Sequence, residues 1–249
     1  MSHFEVAFAT DIGLKRSQNQ DSGIALPEFG FFLVADGMGG HRGGEIASSM
    51  TVEIVGDFIK QSIAQSSQRA ESGFNPRHLL NESLQRANYA IYDRSLKEPS
   101  LQGMGTTATA LLFKDQLLTV GHVGDSRAYL LRDGAYWQLT RDHSLVQEKL
   151  RAGLITREQA KTDQMRNVIT RSVGFGHETV VELYEVQVQE GDVLLLCSDG
   201  LSGQVEDQLT RDILLKEIPL QERVQSLVEQ ANLNGGFDNT TVIVVKFRG

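Results

Sequence analysis

The chain opens on an alternation. In HFEVAFAT, residues 3–10, Phe4, Val6 and Phe8 fall on one side of an extended backbone, which predicts a strand with one buried face. GFFLVAD, residues 30–36, is apolar nearly throughout and predicts a central strand that ends on an acid. The period then lengthens. GGEIASSMTVEIVGDFIKQSIAQ carries Ile46, Met50, Ile54 and Phe58 four apart, and PRHLLNESLQRANYAIYDRSL repeats the pattern with Leu80, Leu84, Ala87 and Ile91 behind Pro76. Both predict helices with one apolar face, the second with proline in its first turn. The polar stretch SSQRAESGFN separates them as a loop.

Residues 106–139 return to short β-rich runs: TTATALLF, QLLTVGHVG, SRAYLLR and AYWQLT, the last two joined by a hairpin turn at Arg132-Asp133-Gly134. Residues 143–170 predict a small helical insertion. SLVQEKLRAG closes on Gly153 as the residue past a helix end, and Thr156 with Gln159 makes a capping box before REQAK. An insertion of this kind serves as a flap over a site or as a plain connection. TVVELYEVQV and DVLLLCSDG then predict strands, VEDQLTRDILLKEI and LQERVQSLVEQANL helices, and TTVIVVKF a buried final strand. Strands in two batches with helices set between them give an α+β class: two antiparallel sheets face to face, helices outside.

Composition narrows the picture little. The 249 residues are 40% apolar and 22% charged, enough for a substantial core, and no repeat or low-complexity linker divides them, so one domain over 1–249 is expected. A net charge of −8 gives no basic footprint for nucleic acid. No apolar run approaches the ~20 residues of a membrane span, and the N-terminus has no signal-peptide pattern. One cysteine, Cys197, excludes an internal disulfide. The expectation is a cytoplasmic protein, monomeric by default.

The chemistry enters through acids at strand edges. Asp36 closes GFFLVAD, Asp199 follows VLLLCS, Asp238 precedes the final strand, Asp125 lies between TVGHVG and SRAYLL, and Asp21 ends RSQNQD. Each alone reads as a turn or cap residue. Together they are costly to desolvate without a partner, and carboxylates lacking Cys or His company suit hard cations such as Mg²⁺ or Mn²⁺. Arg16, five residues before Asp21, offers a guanidinium fork for a phosphate; its plainer reading is a surface arginine or a salt bridge. A cysteine phosphatase needs an arginine six residues after its nucleophile, where Cys197 has Gly203, and no Walker motif is present.

RSQNQD, VADGMGG, GMGTTAT, VGDSRAY, LLLCSDGL and GGFDNTTVIVV occur in the order of the metal-dependent protein phosphatase family, the protein phosphatase 2C type, and the chain resembles its compact bacterial members from about residue 4 to residue 247. The resemblance implies an α-β-β-α sandwich with a two-ion Mg²⁺/Mn²⁺ centre at one end and a flap over about 143–170. Asp36 would bridge both ions, the Gly37 carbonyl would bind one, and Asp199 and Asp238 the other. Asp125 with Asp199 would hold a third, weaker ion. Arg16 would bind phosphate, and Asp21 would act through metal-bound water. The activity implied is hydrolysis of phosphoserine and phosphothreonine in proteins, substrates of a serine/threonine kinase, by an activated water without a phosphoenzyme. Three positions depart from parts of the family. Gln20 stands at a metal-binding glutamate of the animal enzymes. Met38 stands at their histidine, leaving His41 as a weak candidate acid. Asp163, in TDQMRN, replaces a histidine of bacterial flaps. A non-catalytic phosphoprotein-binding relative and a phosphatase of small esters are the alternatives.

Overall fold

Side-chain alternation along the strands sets the layers. The computed structural model describes residues 3–39, 43–68 and 73–249. One sheet has the order β1-β11-β10-β7-β8, from β1 (Phe4–Asp11), β11 (Thr240–Phe247), β10 (Val193–Cys197), β7 (Arg127–Arg132) and β8 (Ala135–Gln138). The other has β2-β3-β5-β6-β9, from β2 (Asp21–Leu26), β3 (Phe31–Met38), β5 (Ala108–Lys114), β6 (Leu117–Val123) and β9 (Glu182–Gln187), with the two-residue β4 (Gly105–Thr106) also on β3. All pairings are antiparallel, and β1 meets β11 from Phe4↔Phe247 to Asp11↔Thr240.

Alternate residues divide between three cores. Phe32 and Val34 of β3 meet Leu194 and Leu196 of β10 and Ile243 and Val245 of β11 between the sheets. The other faces are covered by helices. Phe31 and Leu33 pack under α1 (Gly43–Gln68) and α2 (Pro76–Lys97). Leu195, Cys197, Val242 and Val244 pack under α6 (Asp207–Leu214) and α7 (Leu220–Leu233). The expected four-layer arrangement is therefore present.

Local details follow the sequence closely in several places. Asn75 caps α2 by accepting from the His78 N–H, with Pro76 at the first turn. The β7–β8 hairpin turns on Asp133 and Gly134, both at positive φ, as a right-twisted two-residue turn requires. The helical insertion contains α3 (Leu145–Arg151) and α4 (Arg157–Thr162), with the Thr156–Gln159 capping box in place and Gly153 at φ 68° behind α3. One stripe is displaced. Ile46, Met50, Ile54 and Phe58 pack at the flank of the core, whereas Ala47, Val55 and Ile59 are wholly buried, as is Thr51. α1 lies too close to β3 for larger side chains there: a Cβ on Gly37 would stand 2.0 Å from the Gly44 carbonyl oxygen. Among the described residues no helix is long and apolar enough to cross a membrane.

Candidate active site

The inner faces of both sheets change from apolar to polar at one end. On β3 the period that buries Phe32 and Val34 brings Asp36 next, and the register of β2 sets Asp21 directly opposite it. On β10 the same face continues from Leu196 to Ser198, with Asp199 opening the short helix α5 (Asp199–Ser202). Asp238 lies just before β11, and Asp125 in the turn from β6 to β7. Two strands, the start of one helix and two connections thus bring acids together at one cleft of roughly 840 Å³, which Arg16, Asp36, Gly37, Asp125, Asp199 and Asp238 help to line.

The acids are held in an unfavourable state. Asp36 opens on the cleft but is packed on its other sides. Burial first, then the charges of Asp21, Asp199, Asp125 and Asp238, push its carboxyl well above the usual range. Burial likewise raises Asp21 to about 7 against the opposing help of the Ser198 and Thr241 hydroxyls. Burial and the Asp199 charge raise Asp125 to about 8. Asp199 is raised by burial and Asp238, with a hydrogen bond to Asp36 acting the other way. Arg16 is the cation in contact: its guanidinium donates to Asp238 Oδ2 at 2.6 Å, and that bond raises its own pKa.

Three buried oxygens here, Asp21 Oδ1, Asp125 Oδ1 and Asp199 Oδ1, have no hydrogen-bond partner. Among the described residues no three His, Cys, Asp or Glu side chains form a ready-made cage for an ion; the carboxyls engage Arg16, Ser198 and one another instead. The donor set is nonetheless all carboxylate and carbonyl oxygen with orphaned acceptors, which fits a hard divalent cation and no soft one.

Comparison with known proteins agrees with the motif order. The protein phosphatase 2C family profile matches residues 15–236. This chain belongs to that family. It is 37% identical over 243 residues to the serine/threonine phosphatase stp of Listeria monocytogenes, covering 96% of this chain and 94% of the relative. Its structure is similar to that of the serine/threonine phosphatase PstP/Ppp of Mycobacterium tuberculosis, with a TM-score of 0.89, 37% identity and 99% of each chain covered. It is also similar to the catalytic domain of PstP in complex with two manganese ions, with a TM-score of 0.87, 36% identity and again 99% of each chain covered.

Within this protein phosphatase 2C fold, the acids stand on supports that strand-end reasoning does not reveal. The Asp36 backbone is fixed on both sides: its N–H donates to Thr107 Oγ1 at 2.9 Å, and its carbonyl accepts from the Thr107 N–H and Thr106 Oγ1, each at 2.8 Å. Thr107 Oγ1 also meets Ser126 Oγ at 2.7 Å, which ties Asp36 to the turn carrying Asp125. Ser198 Oγ donates to Asp21 Oδ2 at 2.7 Å and accepts from the Thr241 N–H. Asn239 accepts from the Gln20 N–H and donates to the carbonyls of Ile12 and Gln18, so it holds the Arg16 loop. These polar residues lie inside GMGTTAT, VGDSRAY, LLLCSDGL and GGFDNTT, and that placement is the signal by which they could have been found.

The remaining positions fall out as follows. Gly37 lines the cleft with its N–H on the Gln20 carbonyl, and its oxygen lies close against Gly44. Gln20 and Met38 also line the cleft; His41 lies outside the described residues. The insertion at 143–170 reaches the cleft through Asn167 and Ile169, its base closed by the Ser144↔Ile169 bridge. Asp163 turns away from phosphate chemistry: it pairs with Lys149 Nζ at 2.8 Å and accepts from the Met165 N–H, clasping α3 to α4. Cys197 faces the α6–α7 core, fully buried, its thiol pushed up to about 12 by burial, which suits packing and not nucleophilic attack.

Proposed function

We infer that this protein is a metal-dependent phosphatase of phosphoserine and phosphothreonine in proteins, with Asp36, Gly37, Asp199 and Asp238 holding two Mn²⁺ or Mg²⁺ ions and Asp125 with Asp199 available to a third. The observation that carries this reading is the crowd of five acids around one cleft, of which Asp21, Asp36, Asp125 and Asp199 are raised in pKa by burial and by neighbouring acids, with Arg16 the one arginine in contact among the described residues. Bound divalent ions supply charge neutralisation and an acidified water. The chain's own groups do the rest. Thr106 and Thr107 fix the Asp36 backbone near the end of β3, and Ser198 donates to the Asp21 carboxylate. Arg16, whose side chain is half in solvent, exchanges Asp238 for the phosphoryl oxygens of the substrate, so the charge it neutralises in the free protein becomes available to a cation as substrate arrives. The insertion at 143–170 sets one wall of the cleft and acts as a flap. The reading takes 1–249 as one catalytic domain, a monomer acting in the cytoplasm on targets of a serine/threonine kinase.

The test is phosphate release from a phosphothreonine peptide with Mn²⁺, then with excess EDTA. Release that requires Mn²⁺ is expected; release that survives EDTA overturns the metal assignment, and no release from folded protein overturns the enzymatic one.

A further inference from the structure

Single large apolar side chains in water are ordinary on any protein. Four of them here sit on two segments that touch. Ile12 and Leu14 lie just after β1, and Leu233 and Phe237 at the end of and just after α7; Leu14, Leu233 and Phe237 are 64%, 80% and 57% exposed. The segments are joined by backbone. The N–H groups of Leu14 and Lys15 both donate to the Gly236 carbonyl, at 2.8 and 3.2 Å, and Asn239 Nδ2 donates to the Ile12 carbonyl at 2.9 Å. Gly13, at φ 79°, leaves no room for a side chain, since a Cβ would stand 2.4 Å from the Asp238 carbonyl oxygen. The Leu14 side chain lies against Gly236 and the Phe237 ring against Gly235, where added Cβ atoms would come within 2.7 and 2.3 Å of them. The patch is therefore fixed in place by close-packed glycine backbone.

Its position is informative. Leu14 is two residues before Arg16 and Phe237 immediately before Asp238, and those two form the 2.6 Å ion pair of the cleft. A phosphate held by Arg16 brings the neighbouring residues of its chain over this rim, because one extended residue spans only about 3.3–3.6 Å. An apolar patch beside a polar cleft is a surface for contact with another molecule, and a small phosphoester is too short to cover it.

We propose that Leu14 and Phe237 form an apolar subsite for a hydrophobic side chain adjacent to the phosphorylated serine or threonine, so that the enzyme selects phosphoproteins by an apolar neighbour. This rests on the phosphatase reading above. The experiment compares kcat/KM for two phosphothreonine peptides of equal length and charge, one with leucine and phenylalanine flanking the phosphoresidue and one with serine there, alongside p-nitrophenyl phosphate, all with Mn²⁺. The wild type is expected to favour the apolar peptide about tenfold. The double variant L14S/F237S is expected to lose that preference while keeping its thermal midpoint and its rate on the small ester. The single variant F237S, at a side chain mostly in water, repeats the test with less risk to the fold and is expected to lose part of the preference. Equal rates on the two peptides in the wild type, with the small ester still hydrolysed, overturn the subsite and leave the phosphatase reading standing. A preference unchanged in both variants overturns it as well, and so does a matching loss on the small ester, which would make the patch a support for Arg16. Failure of the wild type on all three substrates removes the phosphatase reading and the subsite with it.

Discussion

Asp192 and Asp36 are aspartates of the same sandwich, and they end in opposite circumstances. Asp192, just before β10, is 1% exposed and takes a two-pronged contact from Arg132 at 2.8 and 2.6 Å, with the Gln189 N–H on the same carboxylate. Asp142 repeats the arrangement with Arg127. Asp36 sits among Asp21, Asp125, Asp199 and Asp238, and its carboxyl is driven toward the protonated form. A buried acid with its own guanidinium and N–H donors holds chain segments together. A group of acids that, among the described residues, has one half-exposed arginine in contact is unstable as carboxylates until something positive arrives. Partner supply, and not burial, separates structure from site.

Two substitutions break the comparison from either side. Asp199→Ala is expected to lower kcat/KM by about a thousandfold or more with the thermal midpoint of the metal-free protein kept or raised, because a repelling charge has gone; kinetics and calorimetry on one preparation check both halves. Asp192→Ala is expected to do the reverse. It leaves the partly exposed Arg132 without its carboxylate and the Gln189 N–H without its acceptor, at a cost of about 2 kcal/mol, while activity per folded molecule stays near wild type. A denaturant titration measures the first effect and active-site-normalised rates the second.

Arg16→Ala should reduce kcat/KM by roughly a hundredfold, most of it in KM for the phosphopeptide. An unchanged KM would return Arg16 to a structural partner of Asp238.

The cluster also predicts a pH dependence that the arginine-paired acids do not share. Asp21 near 7 and Asp125 near 8 hold protons more tightly folded than unfolded, where aspartate titrates near 3.9. Their contribution to stability is therefore complete below about pH 4 and lost as pH rises through 7 to 8. In EDTA, the midpoint should be higher at pH 5.5 than at pH 8.5, and D21N/D125N should flatten that slope. Mn²⁺ should raise the midpoint most at pH 8.5, where the acids are ionised and ready to bind. A midpoint that climbs with pH in EDTA would contradict the assignment of these shifts.

Cys197→Ala is the smallest change: about 1 kcal/mol from a lost buried sulfur, with phosphatase activity intact. Loss of activity in folded protein would reopen a thiol mechanism.

How far the sequence carried differs element by element. LQERVQSLVEQANL and TTVIVVKF coincide with α7 and β11 because each has one strong period and a clear end. β2 gave no such signal. DSGIAL has a short apolar run with glycine inside it, and it is a strand because β3 pairs with it from Asp21↔Asp36 to Leu26↔Phe31. The buried stripe of α1 runs one residue from the expected one, since Ala47 and Thr51 are buried for their small size against β3, a property no hydrophobicity pattern marks. In the site, Asp36, Asp199 and Asp238 were legible as acids ending or preceding apolar runs. Ser198, Thr107 and Asn239 were not, because a hydroxyl or amide beside a strand looks like any turn residue until its partner is known.

The sequence alone determined the layers, through alternation in strands and a period near four in helices, and it determined which residue types could meet: hard oxygen donors, one phosphate-sized guanidinium, one cysteine without the means to react. Tertiary structure decided which of them met. Arg16 and Asp238 lie at opposite ends of the chain, and their ion pair exists because β1 and β11 run side by side and the loop after β1 packs on Gly236. Local pattern fixes which face of an element is apolar. Only the closing of both sheets onto a common core fixes which strand ends share a cleft, and it was that closure that turned five separate turn-like aspartates into one site.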